Sequence, residues 1–251
     1  MNDSQAYLDK KAFFDRVLTI YGRHAVMEAL ENTTLTIHKL HLSTSNKPSR
    51  ELERMESIAR KRTIPIARHD KKSLSRISKN ARLDQGVALD VVMDNFITEA
   101  AFLEECESFR VIALDGVTNP QNLGMIIRSC AAGSIDALLL PTRGTASISP
   151  LVIQASAGTL FRLPIIKTPD LVASLRRFAD AGAGLYSLEA DAPLSYRDVS
   201  PVARSVFVLG NESEGISPEV ASVCDRAISI PMQRGGESLN VAVTAALIAF
   251  A

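Results

Sequence analysis

The sequence has no histidine beyond residue 69, only three cysteines and no excess of either charge. Each shortage removes a class of chemistry. His24, His38, His41 and His69 are the whole histidine complement. A Ser-His-Asp or Cys-His machine built from residues past 100 is therefore excluded, as is a histidine-based metal site there. His38 and His41 fall on opposite faces of a predicted strand and read as ordinary structural residues. Cys106, Cys130 and Cys224 are odd in number, far apart and without CxxC spacing. That pattern points to a reducing compartment and to no zinc site. The opening residues, MNDSQAYLDKKAFF, lack the apolar core of a signal peptide. The one candidate for membrane insertion, Val241–Ala251, is about half the ~20 residues that a span needs. No membrane association is expected, and the expected location is the cytoplasm.

What is present is a soluble-type composition, 251 residues at 46% hydrophobic and 22% charged, enough for a sizeable core. Net charge is zero, but it is unevenly spread. Residues 1–99 hold 17 basic and 13 acidic side chains, and residues 100–251 hold 11 and 15. Such asymmetry suggests two domains with different tasks. Residues 1–19 read as a polar tail or a short leading helix. YGRHAVMEALEN and SRELERMESIARKR follow as amphipathic helices, with SLSRIS a shorter one. Ile37–Leu42, IPIA and Gly86–Met93 read as strands. Glu99–Ser108 reads as a linker or a bridging helix. Beyond it, apolar runs at 111–115, 137–141, 163–167, 185–190, 205–210 and 227–232 alternate with helical segments. Short continuous apolar runs separated by helices indicate a parallel sheet covered on both faces.

Between Arg60 and Arg82 the chain holds nine basic residues against Asp70 alone. The run is either a solvated face or a phosphate-contacting patch, in which Arg60, Arg62, Arg68, Lys71, Lys72 and Arg76 are the candidates. No aromatic residue is interleaved with it, so base stacking is poorly supported there.

In open parallel sheets, ligands sit where strands hand over to helices. After VIALD comes DGVTNPQNLG, with glycine only at 116 and 124, so the dinucleotide fingerprint is missing. Three polar junctions stand out instead. One runs from Asn119 to Arg128, where Asn119 or Asn122 can cap a helix. The next is Gly210-Asn-Glu-Ser-Glu-Gly215, whose glycines let backbone approach a ligand. The last is Ile230-Pro-Met232, five residues, then Ser238-Leu-Asn240. Taken together and in order, N-x5-R, G-x-E-x-x-G and I-P-M with S-L-N resemble the motifs of the SpoU (TrmH-type) branch of the SPOUT RNA methyltransferases. Tyr21–Leu30 and Gln85–Ala88 are similar to the ends of the substrate-binding domain of ribosomal RNA members.

The resemblance implies a tail at 1–19, an RNA substrate-binding domain at 20–95, a linker at 96–108 and a SPOUT methyltransferase domain at 109–251. It implies an α/β fold with a C-terminal trefoil knot, a rare exception to unthreaded topology. The knot would pack the uncharged last helix inside. It further implies S-adenosylmethionine as cofactor, contacted at Leu209, Gly210, Ile230, Met232 and Leu239, and no metal. The implied reaction is methyl transfer to a ribose 2′-hydroxyl. Arg128 would stand nearest the hydroxyl, with Asn122, Glu212, Ser238 and Asn240 orienting it and the ribose. The implied partners are a guanosine of large-subunit ribosomal RNA, with tRNA as runner-up, and a second copy of the chain. Two further readings stay open: a non-catalytic RNA-binding module, and an unrelated α/β enzyme with a small-molecule substrate. The sequence departs from the family's pattern in Gln-Arg-Gly-Gly-Glu before Ser238, and in the missing charged end of the last helix.

Overall fold

The fold is seen in a computed structural model that describes residues 7, 13–14, 16–199, 202–232 and 238–251. The chain divides into two compact units, 1–94 and 95–251.

The first unit carries β1 (Val17–Tyr21), α1 (Arg23–Glu31), β2 (Thr36–Ser43), α2 (Arg50–Lys61), β3 (Ile66–His69), α3 (Lys71–Ser78) and β4 (Val87–Val92). Its sheet runs β1-β4-β2-β3. β4 is antiparallel to β1 and β2, while β2 and β3 are parallel. Local chemistry sets the helix starts. Ser49 accepts from the Leu52 N–H to open α2, and Asp70 accepts from the Ser73 N–H to open α3. Strand β1 differs from the sequence reading, which ended a tail at residue 19 and began a helix near Ile20. Val17 to Tyr21 pair instead with Val92 to Ala88. Five residues carrying one inward polar side chain are too short a pattern to stand out beside a polar tail. Gly22, at φ +88°, makes the turn into α1 that a β-carbon would strain. Most of the expected tail lies outside the described residues.

The second unit carries β5 (Phe96–Ile97), α4 (Glu99–Glu105), β6 (Phe109–Leu114), α5 (Pro120–Ala132), β7 (Ala137–Pro141), α6 (Pro150–Ala155), β8 (Ile165–Thr168) and α7 (Leu171–Asp180). It continues with β9 (Gly184–Leu188), β10 (Arg204–Leu209), α8 (Pro218–Ala221), β11 (Arg226–Ile228) and α9 (Val241–Ala249). The sheet order is β11-β9-β10-β6-β7-β8-β5, and every pairing is parallel. Val111 to Leu114 and Ala137 to Leu139 are fully buried, as a sheet covered on both faces requires. Residues 96–108 form β5 and α4, and Phe102 enters the core beside Phe109 and Phe178. Strand β11 stops at Ile228, short of the apolar run that marks it in sequence. Ile230-Pro231-Met232 belong to the loop beyond, where proline has no N–H to give a ladder.

The order of the strands decides where a site can form. β6 and β10 are neighbours, yet the chain leaves β6 toward β7 and reaches β10 from β9. Loops at the C-terminal ends of such a switch diverge and leave a crevice.

The last helix is anchored at both ends. Asn240 accepts from the Ala242 N–H to cap its start. At its far end, Ser134 donates N–H and Oγ–H to the Ala249 carbonyl, at 2.8 and 2.9 Å. Arg110 donates to the carbonyls of Ile248 and Ala251, with its guanidinium over Phe207. The helix is buried on one stripe only; Val243 and Phe250 are exposed. The expectation of a wholly enclosed tail is corrected to that extent.

Gly133 lies where a β-carbon would stand 2.4 Å from the Ala249 carbonyl oxygen. Its φ of −99° suits any residue, so the constraint is contact alone. Gly133→Ala is expected to lower unfolding free energy by about 1–3 kcal/mol, read from urea midpoints. An unchanged midpoint would mean that the tail gives way freely.

Candidate active site

Helix α5 opens with Asn119, which accepts from the Gln121 N–H, followed by Pro120 in the first turn. Asn119 therefore serves as cap and leaves Asn122 for other work. Asn122 is buried and its amide group is bonded on both sides. Its Nδ2 donates to the Glu212 carboxylate in a close contact. Its Oδ1 accepts from Asn240 Nδ2 at 3.1 Å. Asn240 Oδ1 in turn accepts from Ala242 N–H. The order of donors is forced. A carboxylate only accepts, so the nitrogen of Asn122 must face Glu212 and its oxygen must face Asn240. A single row of amides thus joins turns 90 and 118 residues apart.

The turn after β10 is shaped by its own backbone. Asn211 and Gly215 exchange N–H···O bonds of 2.8 and 2.9 Å, and Gly215 sits at φ +73°. Gly210 is packed so closely that a β-carbon would lie 2.3 Å from the Gly215 carbonyl carbon. Three more bonds tie this turn to the end of β6. Asn211 Nδ2 donates to the Gly116 carbonyl, and Ser217 donates both N–H and Oγ–H to Asp115 Oδ2, at 2.7 Å each. Asp115, Asn211 and Ser217 were not among the sequence candidates. Their signal is faint: a polar residue directly after each of two adjacent apolar strands, and a serine just before Pro218.

A cavity of about 420 Å³ opens at these turns. All five candidate cofactor residues line it, Leu209, Gly210, Ile230, Met232 and Leu239, together with Glu212 and Ser238. The loop after β9 adds Glu189 and Asp191, which sequence reasoning also missed. They obey the same rule, lying just past the C-terminal end of a parallel strand. Four carboxylates, Glu189, Asp191, Glu212 and Glu214, line this cavity, and among its described lining residues none is basic. Such walls favour a cationic ligand and repel a polyanion such as a dinucleotide. A larger cavity of about 780 Å³ lies at the other ends of the strands, around Phe109, Arg110 and Phe207, away from the three turns.

Arg128 stands apart. It is exposed on α5, does not line the cavity, and has no hydrogen-bond or ion-pair partner among the described residues. The structure therefore does not link it to the amide row, as the sequence reading expected. Cys130 and Cys224 have thiols pushed up to about 12, chiefly by burial, so neither supplies a thiolate at neutral pH. Among the described residues no cluster of histidine, cysteine and carboxylates could hold a metal ion, and no helix is long and apolar enough to cross a membrane.

The basic run of the first unit is less free than its composition suggests. Arg62 donates to the carbonyls of Leu30, Asn32 and Leu35, at 2.6 to 3.0 Å, and so closes the end of α1. It is corrected from a phosphate candidate to a structural residue. Arg60 and Arg68 share the Glu56 carboxylate. Lys71, Lys72 and Arg76 are exposed and make no ion pair among the described residues.

A parallel sheet with an acidic, glycine-walled crevice at its switch point, preceded by a small α/β unit, defines a SPOUT-type methyltransferase fold. Residues 110–250 match the SpoU rRNA methylase family, and residues 19–96 match the RNA 2′-O ribose methyltransferase substrate-binding family. The chain belongs to the SpoU rRNA methylase family and is an RNA methyltransferase. It is similar to an uncharacterized tRNA/rRNA methyltransferase of Mycolicibacterium vanbaalenii, 32% identical over 91% of this chain and 74% of that one. A Mycobacterium tuberculosis protein of the same description is 32% identical over 93% and 73%. Among solved structures, the SpoU methyltransferase AviRb of Streptomyces viridochromogenes, with AdoMet bound, superposes with a TM-score of 0.66 at 22% identity, covering 95% and 90%. An AdoMet-bound rRNA methyltransferase of Sinorhizobium meliloti gives 0.62 at 23%, covering 96% and 88%.

Removing the shared amide separates positioning from ligand binding, because Asn122 does not line the cavity. Asn122→Ala is expected to lower methyl-transfer turnover about 10²-fold, since misplaced reacting groups lose much of the benefit of alignment. Cofactor affinity, measured by calorimetry, should stay within a few-fold of the parent. Equal loss in both would assign Asn122 to the cavity instead.

Proposed function

We propose that this protein transfers a methyl group from S-adenosylmethionine to a ribose 2′-hydroxyl in RNA, with a guanosine of large-subunit ribosomal RNA as the preferred target. The observation that carries the reading is the Asn240–Asn122–Glu212 row at the edge of a carboxylate-lined cavity. S-adenosylmethionine suits that cavity chemically. It is a cation at its sulfonium, it needs close backbone approach, and it buries an adenine against apolar walls. When bound it supplies an electrophilic methyl. The 2′-O assignment draws support from the family matched by residues 19–96, and the relatives' descriptions leave tRNA as the second reading.

In this reading Leu209, Gly210, Ile230, Met232 and Leu239 hold the cofactor, and no metal takes part. Asn122, Glu212, Ser238 and Asn240 fix the turns against which the ribose is presented. Arg128 binds an RNA phosphate and aligns the hydroxyl. It is not the base, because a guanidinium carries donors only and no lone pair to accept a proton. The hydroxyl proton leaves to that phosphate or to water. In the substrate-binding domain, expected at 20–95, Arg60, Arg68, Lys71, Lys72 and Arg76 meet the RNA backbone. The methyltransferase domain spans 109–251, and 96–108, expected as a linker, are built into the same unit as β5 and α4. We infer that the tail is threaded into a trefoil knot, which the anchoring of α9 by Ser134 and Arg110 supports. Exposed Met125, Leu151, Val243 and Phe250 support a homodimer, since apolar surface of this kind is covered in assemblies. The proposed place of action is the cytoplasm.

The test is to incubate the full chain with labelled S-adenosylmethionine and, separately, undermodified ribosomal RNA and tRNA, then digest to nucleosides. Label in a 2′-O-methylated guanosine from ribosomal RNA is expected. Label in a base would overturn the reaction type, and label only in tRNA would overturn the target. Cofactor binding without label in either RNA would favour a non-catalytic binding module. Gly210→Ala should abolish cofactor binding by calorimetry, because the added carbon meets backbone. Arg128→Lys should lower turnover at least about tenfold, since an ammonium lacks the planar fork of donors. Near-normal turnover would dismiss the bidentate role.

A further inference from the structure

A row of polar side chains crosses all four strands of the first unit's sheet. Thr19 of β1 donates its hydroxyl to Asp90 Oδ1 of β4 at 2.7 Å. His41 Nε2 of β2 lies 2.9 Å from Asp90 Oδ2. His41 Nδ1 lies 3.0 Å from His69 Nε2 of β3. Asp90 and His41 are buried, while His69 is half-exposed at the end of its strand. Its remaining nitrogen, Nδ1, has no hydrogen-bond partner among the described residues.

The tautomers follow from donor counting. Burial alone would raise the Asp90 carboxyl, but the bonds from His41 and Thr19 outweigh it and hold the pKa below its ordinary value. An ionised carboxylate only accepts, so His41 Nε2 carries a hydrogen. With both rings neutral, His41 Nδ1 is then an acceptor, His69 Nε2–H is the donor, and His69 Nδ1 is left as a bare lone pair. One proton taken from water reverses the outward end. It can rest on His69, or the shared hydrogen can pass to His41 beside Asp90. In both cases His69 Nδ1 becomes an N–H donor, and the new charge is compensated by a carboxylate already in place.

The surroundings name the ligand. Directly after His69 come Asp70, whose carboxylate is used by the N–H and hydroxyl of Ser73, and then exposed Lys71 and Lys72. Burial, His41 and Lys39 hold the His69 pKa below ordinary, against the opposite pull of Asp70. His38 acts on the row at Asp90. The free protein therefore presents a lone pair at neutral pH, and an anion docking there draws a proton in. The linear order of the three groups, each bonded to the next, does not converge on a metal ion.

We propose that His69 is a proton-gated contact for a phosphodiester of RNA, fed by the His41–Asp90 pair, so that RNA binding by the first unit takes up one proton. This rests on the reading that the first unit binds RNA. Lys71 and Lys72 supply attraction through their ammonium charges, and His69 adds a component that depends on pH. By linkage, affinity falls as pH rises through the interval between the free and bound pKa values of the row, by up to about a hundredfold from pH 6 to 8, one decade per pH unit where a full proton is taken up.

The experiment measures binding of the full chain to a ribosomal RNA fragment by fluorescence anisotropy from pH 6 to 8 at fixed salt. His69→Gln should flatten the pH slope and converge with the parent at pH 8, and the fully exposed His24→Gln should keep the slope. Proton uptake, read by calorimetry in buffers of different ionisation enthalpy, should be close to one for the parent and near zero for His69→Gln. Inorganic phosphate should relieve binding only weakly if the site is built for a phosphodiester within a chain. A slope unchanged by His69→Gln, with RNA still bound, overturns the inference alone. No RNA binding at any pH overturns it together with the reading of the first unit. Nitrogen NMR of the histidine rings in the free protein gives an independent check. His69 should be the Nε2–H tautomer at pH 8, and the opposite tautomer would break the donor order.

Discussion

The second unit depends on one buried amide. Asn122 is hydrogen-bonded both to the turn after β10 and to the loop before α9, and each of its polar atoms has a fixed partner. Glu212 needs a donor and Asn240 needs an acceptor. A serine could reach only one of them, and a carboxylate would oppose Glu212. The requirement explains why an asparagine stands three residues into a helix, where its propensity is poor. Asn119 is already the cap, so the helix does not need Asn122 for its own stability.

Charge is divided between the two units by task. The crevice of the second unit is walled by carboxylates, which suits a cationic methyl donor and discourages RNA phosphates from entering the donor's place. The exposed ammonium groups and the titrating row belong to the first unit. An overall charge of zero conceals this arrangement, and only the division of the chain reveals it.

Much of this was legible in sequence because it is written in local patterns. The central strands are continuous apolar runs, and turns that close on glycine and asparagine carry those residues for steric reasons. The three motifs could be ranked as one site because their order matched a family. Other features were not legible. β1 and β5 are too short to show a period. Arg62 reads as a basic-patch residue, and only folding shows that three carbonyls at the end of α1 consume its donors. His38 and His41 read alike, yet one sits against Phe13 and Phe14 while the other is bonded between Asp90 and His69. Such pairings join residues from different strands, and no spacing within one strand encodes them. Arg128 is the opposite case, recognised by its motif but without a hydrogen-bond or ion-pair partner among the described residues.

The anchoring of the last helix bears on how the molecule is made. Residues 110, 122 and 134 are bonded to partners 138, 118 and 115 positions later. Early strands can pair while the chain is being synthesised, but the guanidinium of Arg110, the amide of Asn122 and the hydroxyl of Ser134 wait for residues 240–251. Contacts of such long separation are slow to form. A nascent chain stalled before residue 240 therefore holds an unfinished crevice, in which the Asn122 amide lacks one of its two partners.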